Sequence, residues 1–135
     1  MKTLRIILPV LLLTLFSCAN AQVKSTETSN SDQIEVYYFH FERRCETCVT
    51  VEKVTEESIK KNFPEQLKEK TIIFSSINLD DESNNDLAKR LKVAGQSLLI
   101  VKGSNTIDLT NKAFMYAVDQ PEKLENAIKE AINTI

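Results

Sequence analysis

The chemistry of this chain is concentrated in one short stretch, YYFHFERRCETCVTVEK, which spans residues 37–53. It holds two cysteines with two residues between them, Cys45 and Cys48, and the single histidine of the chain, His40. Thiolates attack disulfides, and they also bind soft metal ions. A disulfide that only stabilises a fold gains more from closing a long loop, so this close spacing favours a chemical role for the pair. The stretch therefore predicts a redox centre or a metal site.

The two cysteines lie where an extended segment gives way to a helical pattern. A cysteine at the N-terminus of a helix faces unpaired backbone N–H groups and the positive end of the helix dipole, which stabilise its thiolate. Arg43 and Arg44 add positive charge next to Cys45, and Glu46 opposes that charge. We therefore expect Cys45 to be the exposed nucleophile and Cys48, about one turn further in, to be the resolving thiol.

The roles of His40 and the two arginines stay open at the level of sequence. His40 could move protons for Cys48, since its unperturbed pKa is near 6.5. It could also join the two sulfurs as a metal ligand, or it could be a structural residue bonded to a backbone carbonyl. Arg43 and Arg44 could bind an anionic partner or simply be solvated.

The N-terminal part of the chain is typical of a secretory signal peptide, which we assign to residues 1–21. Two basic residues precede an apolar run at 6–16 and then small residues. The run is shorter than the roughly 20 residues that a membrane span needs. The sequence LFSC resembles a bacterial lipobox, which predicts lipidation of Cys18. The alternative is cleavage after ANA, residues 19–21, which would release the protein without an anchor.

Residues 22–32 are polar, rich in serine and threonine, and predict a flexible linker before a single domain at 33–135. Either form of signal processing places that domain in the bacterial cell envelope, where disulfides can persist. Contact with the membrane is expected only through the N-terminal lipid. The net charge of −2, without a basic patch, argues against nucleic acid as a partner.

The sequence of the domain predicts alternating strands and helices. Extended runs occupy 34–41, 71–79, 97–103 and 106–109. Helical patterns follow Cys45, fill part of 80–93, and run from Asp119, the expected N-cap, to the end of the chain. The order β-α-β-α-β-β-α predicts an α/β fold with a four-stranded mixed sheet and helices on both faces.

These features together resemble the thioredoxin-like superfamily over residues 33–135. The Cys-x-x-Cys motif stands at a strand-to-helix junction, SSINLDDES ends the second strand, and LAKRLKVAGQSLLIVKG is similar to the segment that leads into the third. The resemblance implies a thioredoxin-like fold and thiol–disulfide exchange by Cys45 and Cys48 without a bound cofactor. It also implies partners with protein thiols or disulfides and an electron donor or acceptor in the envelope. Within the superfamily, the stretch around the cysteines is similar to bacterial proteins known as ArsF-type nitroreductase subunits.

The chain departs from the thioredoxin pattern at three positions near the cysteines. Arg44 stands where thioredoxins have an aromatic residue, and Ser97 stands where they have a cis-proline that faces the pair. In the family, that proline helps to position the substrate and discourages metal capture. The resemblance therefore implies that Ser97, and Gln96 before it, lie near the pair and affect substrate binding or thiol pKa. The family's buried acid also has no counterpart on the first strand, where Glu35 lies too far back.

Three functions follow from these residues. The favoured one is an envelope thiol–disulfide oxidoreductase that cycles Cys45 and Cys48. The second is a module that binds copper, zinc or an arsenical through the two cysteines, with His40 as a possible third ligand. The third is a binding subunit that keeps the fold and exchanges no disulfides. The sequence sets neither the direction of electron flow nor the substrate.

Overall fold

A computed structural model describes residues 32–135 of the chain. The predicted signal peptide, the predicted lipidation of Cys18 and all but the last residue of the predicted linker at 22–32 lie outside the described residues. Among residues 32–135, no helix is both long enough and apolar enough to cross a membrane.

The centre of the domain is a four-stranded sheet with the order β2-β1-β3-β4. Its strands are β1 (Ile34–His40), β2 (Ile72–Asn78), β3 (Ser97–Lys102) and β4 (Asn105–Asp108). Strand β1 pairs with β2 in parallel and with β3 in antiparallel orientation, and β4 pairs with β3 in antiparallel orientation. The predicted mixed sheet is therefore confirmed. β1 lies inside the sheet, so its run of β-branched and aromatic residues is that of a strand buried on both faces.

The helices follow the predicted order, with additions. They are α1 (Glu46–Asn62), α2 (Pro64–Lys68), α3 (Asn85–Arg90), α4 (Thr110–Tyr116) and α5 (Pro121–Thr134), with a short 3₁₀-helix at Glu82–Asn84 before α3. The sequence did not predict α2, the 3₁₀-helix or α4, which are too short to show a full amphipathic repeat.

The expected N-cap of the last helix was wrong. Helix α5 begins at Pro121, and the residue before it is Gln120 rather than Asp119. The fixed φ of proline is suited to the first helical position, so Pro121 sets the start without a capping side chain.

Helices cover both faces of the sheet, as predicted. Alternate residues of β1 point to opposite faces, because side chains alternate along a strand. Val36 and Tyr38 pack into the larger core with residues of α1, α4 and α5. Tyr37 and Phe39 pack into a smaller core with residues of α3 and the segments that flank it. Packing on both faces thereby fixes the end of β1, and the cysteine pair follows shortly after it in the chain.

Candidate active site

The site begins where β1 ends. After His40 the chain crosses a short exposed loop, and α1 starts at Glu46 with Cys45 as the N-cap residue in extended conformation. The loop is held to the end of β2, because the backbone N–H of Glu42 donates to the Asp80 carboxylate over 2.7 Å. The Cys45 side chain makes no regular capping hydrogen bond. Its sulfur therefore lies at a helix N-terminus whose donors are not taken by another side chain.

The two cysteines are close together but differ in exposure. Their Sγ atoms lie 2.8 Å apart, and neither is in a disulfide. Cys45 is exposed, whereas Cys48 is only 2 % exposed. A disulfide bond is about 2.05 Å long, so a small movement closes the pair. The structure thus brings together the two residues that the spacing predicted, with one sulfur open to solvent and the other covered.

The surroundings move the two thiol pKa values in opposite directions. The hydrogen bond from the Cys48 thiol, followed by backbone N–H groups of Cys48 and Thr47, lowers the pKa of Cys45. Burial, followed by the hydrogen bond to Cys45, raises the pKa of Cys48. The exposed sulfur is therefore the one that ionises first, and the buried thiol holds its proton and donates it toward that thiolate.

The arginines contribute less to Cys45 than their sequence positions suggested. The largest contributions to its lowered pKa are hydrogen bonds, and neither Arg43 nor Arg44 is among them. Arg44 instead forms an ion pair and hydrogen bond with Glu52 on α1. Arg43 is exposed and makes no ion pair within residues 32–135. The expected positive charge beside Cys45 is thus partly neutralised from the helix.

Glu52 is a site residue that the sequence reasoning missed. Its side chain is 23 % exposed and links Arg44, in the loop before Cys45, to Ser76 on β2. Burial alone would raise the pKa of Glu52, but hydrogen bonds from Ser76 and Arg44 outweigh it and lower the pKa below 4.5. Its spacing of four residues after Cys48, which places both on one helix face, was the available signal.

Tyr38 is a second missed residue, and it connects the sheet to the first turn of α1. The Tyr38 side chain is fully buried, and its hydroxyl donates to the backbone carbonyl of Cys48 over 2.9 Å. Burial, followed by the charge that Cys48 carries when ionised, raises the pKa of Tyr38 well above its ordinary range. The hydroxyl therefore remains a donor and holds the backbone of Cys48.

His40 lies at the end of β1, 8 % exposed, and its Nδ1 atom is 2.9 Å from the Phe41 carbonyl oxygen. A carbonyl only accepts, so Nδ1 carries the proton in this contact. Among residues 32–135, no group of three or more histidine, cysteine or acidic side chains is placed to hold a metal ion. His40 thus forms no such group with the two cysteines.

Gln96, directly before β3, makes the hydrogen-bonding contact with the cysteine pair. The Cys48 thiol lies 3.2 Å from Gln96 Oε1. The Ser97 hydroxyl instead donates to the carbonyl of Gly95, two residues earlier, over 2.9 Å. Ser97 pairs with Phe39 at the site end of the sheet, and no cis peptide bond occurs within the described residues.

With this geometry in view, comparison with known proteins shows a likeness of fold alone. No protein-family model matches the chain, and no curated protein matches it. The zinc-bound form of human ERp44 matches with 15 % identity and a TM-score of 0.50, over 74 % of this chain and 27 % of that one. A structure described as that of a malarial protein matches with 18 % identity and a TM-score of 0.48, over 73 % of this chain and 96 % of that one. A thioredoxin from Trypanosoma brucei brucei matches with 22 % identity and a TM-score of 0.43, over 73 % and 77 %.

The class of this domain follows from its topology, its cysteine pair and the ERp44 match taken together. The sheet order, the crossover from β1 through α1 to the parallel strand β2, and helices on both faces give a thioredoxin-like fold. The cysteine pair stands at the junction of β1 and α1, with the two sulfurs 2.8 Å apart. A fold hosts many functions, so the activity has to be argued from this site.

Proposed function

We propose that this protein is a thiol–disulfide oxidoreductase that uses Cys45 and Cys48 as a dithiol/disulfide couple. The observation that carries the proposal is the asymmetric pair: two sulfurs 2.8 Å apart, one exposed and one buried. Only the exposed sulfur can reach a disulfide on another protein, and its lowered pKa makes it the better thiolate at neutral pH. The buried sulfur is placed to attack Cys45 and nothing else.

The reaction consists of two exchanges. The Cys45 thiolate attacks one sulfur of a partner disulfide, forming a mixed disulfide and releasing the other partner sulfur as a thiolate. Cys48 then gives up its proton, attacks the Cys45 sulfur and breaks the bond to the partner, whose second sulfur leaves as a thiolate. The partner gains two electrons, its two thiolates take up protons from solvent in place of the two that Cys45 and Cys48 have released, and Cys45 and Cys48 are left as a disulfide. Run in reverse, the same steps oxidise a partner dithiol.

The cellular setting belongs to the same proposal. The signal-like N-terminus supports export, with the domain tethered in the bacterial envelope by a lipid on Cys18. The partners are then envelope proteins with thiols or disulfides, and an electron donor or acceptor in the envelope that returns Cys45 and Cys48 to their starting redox state. Membership of the ArsF-like group is likewise proposed, from the residues around Cys45 and Cys48. Labelling with radioactive palmitate tests the anchor: the wild-type protein incorporates label and Cys18→Ala does not.

A titration of the full-length protein against glutathione redox buffers tests the proposed chemistry. We expect one two-electron transition in the wild-type protein, which disappears in Cys45→Ser. With a disulfide substrate, Cys48→Ser accumulates a mixed disulfide through Cys45, because the resolving thiol is gone. Disulfide turnover that survives Cys45→Ser would refute the proposal. The measured potential also gives the direction of electron flow.

A soft-metal site is the second candidate, and the close approach of two thiols favours it. Ser97 in place of the family's proline is compatible with metal capture, and the ERp44 structure of similar fold is a zinc-bound form. No third ligand group is present among residues 32–135, so a partner would complete the site. Metal analysis of anaerobically purified protein tests this: one tightly held ion per chain, lost in Cys45→Ser/Cys48→Ser, would replace the redox proposal.

A further inference from the structure

Gln96 reaches Cys48 from the segment directly before β3. Cys48 and Gln96 are 48 residues apart in sequence, and their side chains lie within 3.2 Å. The Cys48 thiol is 2 % exposed, so water has little access to it. Its sulfur has two side-chain hydrogen-bonding partners among the described residues, the Cys45 sulfur and the Gln96 amide. When Cys45 is joined to a partner, the amide is the contact that remains.

In the second exchange Cys48 needs a hydrogen-bond acceptor while it is a thiol and a hydrogen-bond donor once it is a thiolate. Before the step Cys48 is a thiol and needs an acceptor, and Gln96 Oε1 serves as one. During the step Cys48 becomes a thiolate in a covered position, where a charge without a donor is costly. A glutamine amide carries an acceptor at one end and two donors at the other, and a half-turn about its last torsion exchanges them.

The loop that carries Gln96 is held in a way that leaves this half-turn available. The Ser97 hydroxyl donates to the Gly95 carbonyl over 2.9 Å and so fixes the backbone on both sides of Gln96. Backbone pairing of Ser97 with Phe39 anchors the same point to β1. The Gln96 side chain has no other side-chain hydrogen bond among residues 32–135, so only its contact with Cys48 orients the amide.

We propose that Gln96 is a two-way hydrogen-bonding partner of Cys48, accepting from the thiol once Cys45 is joined to a partner and donating to the thiolate as it attacks the mixed disulfide. The role rests on the proposed exchange chemistry and deepens it. The proton of Cys48 passes to a base in the solvent. The electron pair left on Cys48 forms the bond to Cys45 as the bond from Cys45 to the partner breaks. Gln96 therefore acts on the second exchange and not on the first.

The test separates the two exchanges with 5,5′-dithiobis(2-nitrobenzoate). One equivalent of the reagent and the reduced full-length protein release two coloured thiolates in sequence. The first comes from attack by Cys45, and the second from attack by Cys48 on the mixed disulfide. Stopped-flow absorbance gives both rates.

Two variants of Gln96 are compared with wild type. Gln96→Glu keeps the acceptor and loses the donors, and Gln96→Met has a similar length but neither the acceptor nor the donors. Gln120→Glu, at an exposed position before α5, controls for the added charge.

We expect the first rate to stay within about twofold of wild type in both Gln96 variants, while the second falls. For Gln96→Met the expected loss is about tenfold, or about 1.4 kcal/mol, the size of one hydrogen bond to a charged group. The rate of the second release should fall further in Gln96→Glu, because its carboxylate repels the forming thiolate. Gln120→Glu should match wild type in both phases.

Different failures are distinguishable. Equal second rates in wild type, Gln96→Glu and Gln96→Met would overturn the role of Gln96 while leaving the exchange chemistry intact. An equal loss in Gln96→Glu and Gln96→Met would also overturn it, because a carboxylate that faces the forming thiolate has to slow the second exchange further than methionine does. A single release without a second phase in the wild-type protein would refute the exchange proposal itself. A parallel fall of both phases, with altered circular dichroism, would show a merely structural residue and count against the role.

Discussion

Replacing Tyr38 with phenylalanine removes one oxygen atom from the point where the sheet holds the backbone of Cys48. Tyr38 is fully buried, and its hydroxyl donates to the Cys48 carbonyl over 2.9 Å. Phenylalanine fills the same space apart from that oxygen, so packing is retained and the hydrogen bond is lost. The Cys48 carbonyl is left in a place that water does not readily reach.

The expected cost is that of one buried neutral hydrogen bond, about 1 kcal/mol of unfolding free energy. For a domain of this size, that lowers the midpoint of thermal unfolding by roughly 4–8 °C. The partner is a backbone carbonyl and not the sulfur, so the loss should be similar with the cysteines reduced and with them joined. Urea unfolding followed by circular dichroism, with reductant and then with oxidant, measures both.

The matched control is Tyr116→Phe. Tyr116 is half-buried, its ring faces the Lys123 ammonium at 5.3 Å, and phenylalanine keeps that ring. Its hydroxyl makes no hydrogen bond within residues 32–135, so the free energy of unfolding should change by less than about 0.5 kcal/mol. If Tyr38→Phe unfolds at the same urea concentration as wild type, or if the two variants lose equally, the hydroxyl does not anchor Cys48 and the reasoning fails.

Three further predictions test the site and the core. Cys48→Ala removes the largest contribution to the lowered pKa of Cys45. Its rate of alkylation by iodoacetamide should therefore rise at higher pH than the rate for Cys45 in the wild type, and unchanged profiles would contradict the assignment. The pKa of Glu52 is lowered in the folded protein, so its stabilisation is present above 4.5 and is lost as pH falls through the folded value. Glu52→Gln should lose less stability than wild type on acidification below that pH, and parallel curves would be inconsistent with the ion pair. Ile128→Ala, at a fully buried position of α5, should cost about 2–5 kcal/mol, whereas the exposed Val118→Ala should cost less than about 0.5 kcal/mol; similar losses would disprove the core assignment.

The main elements could be predicted because their signals are local. β1 and β3 are runs of β-branched and aromatic or aliphatic residues buried on both faces, and α5 carries an apolar stripe over four turns. Helices α2 and α4 have five and seven residues, too few to be stable by themselves. Packing against the rest of the domain holds them, and no window of sequence shows such contacts.

The same distinction applies to the candidate site. The spacing of Cys45 and Cys48 is a local signal, and it led to the pair directly. The contacts that surround the pair come from elsewhere in the fold. Tyr38 reaches Cys48 because side chains of β1 alternate between faces, and Gln96 reaches it because β3 pairs with β1 in one particular register. Glu52 sits on the same helix, but its role depends on a loop arginine folding back onto it.

The pairing of β1 with β3 also has a consequence for the order in which the site is completed. A chain made from its N-terminus presents Cys45 and Cys48 long before Gln96. A single crossover through α1 connects β1 to its parallel neighbour β2. β3 pairs with the opposite edge of β1, and it is made only after more than half of the domain. Until that strand docks, Cys48 has no partner from the β3 side and no cover at that edge of the sheet. The two thiols are therefore open to non-native pairing while the chain is being made, and this exposure ends when β3 joins the sheet.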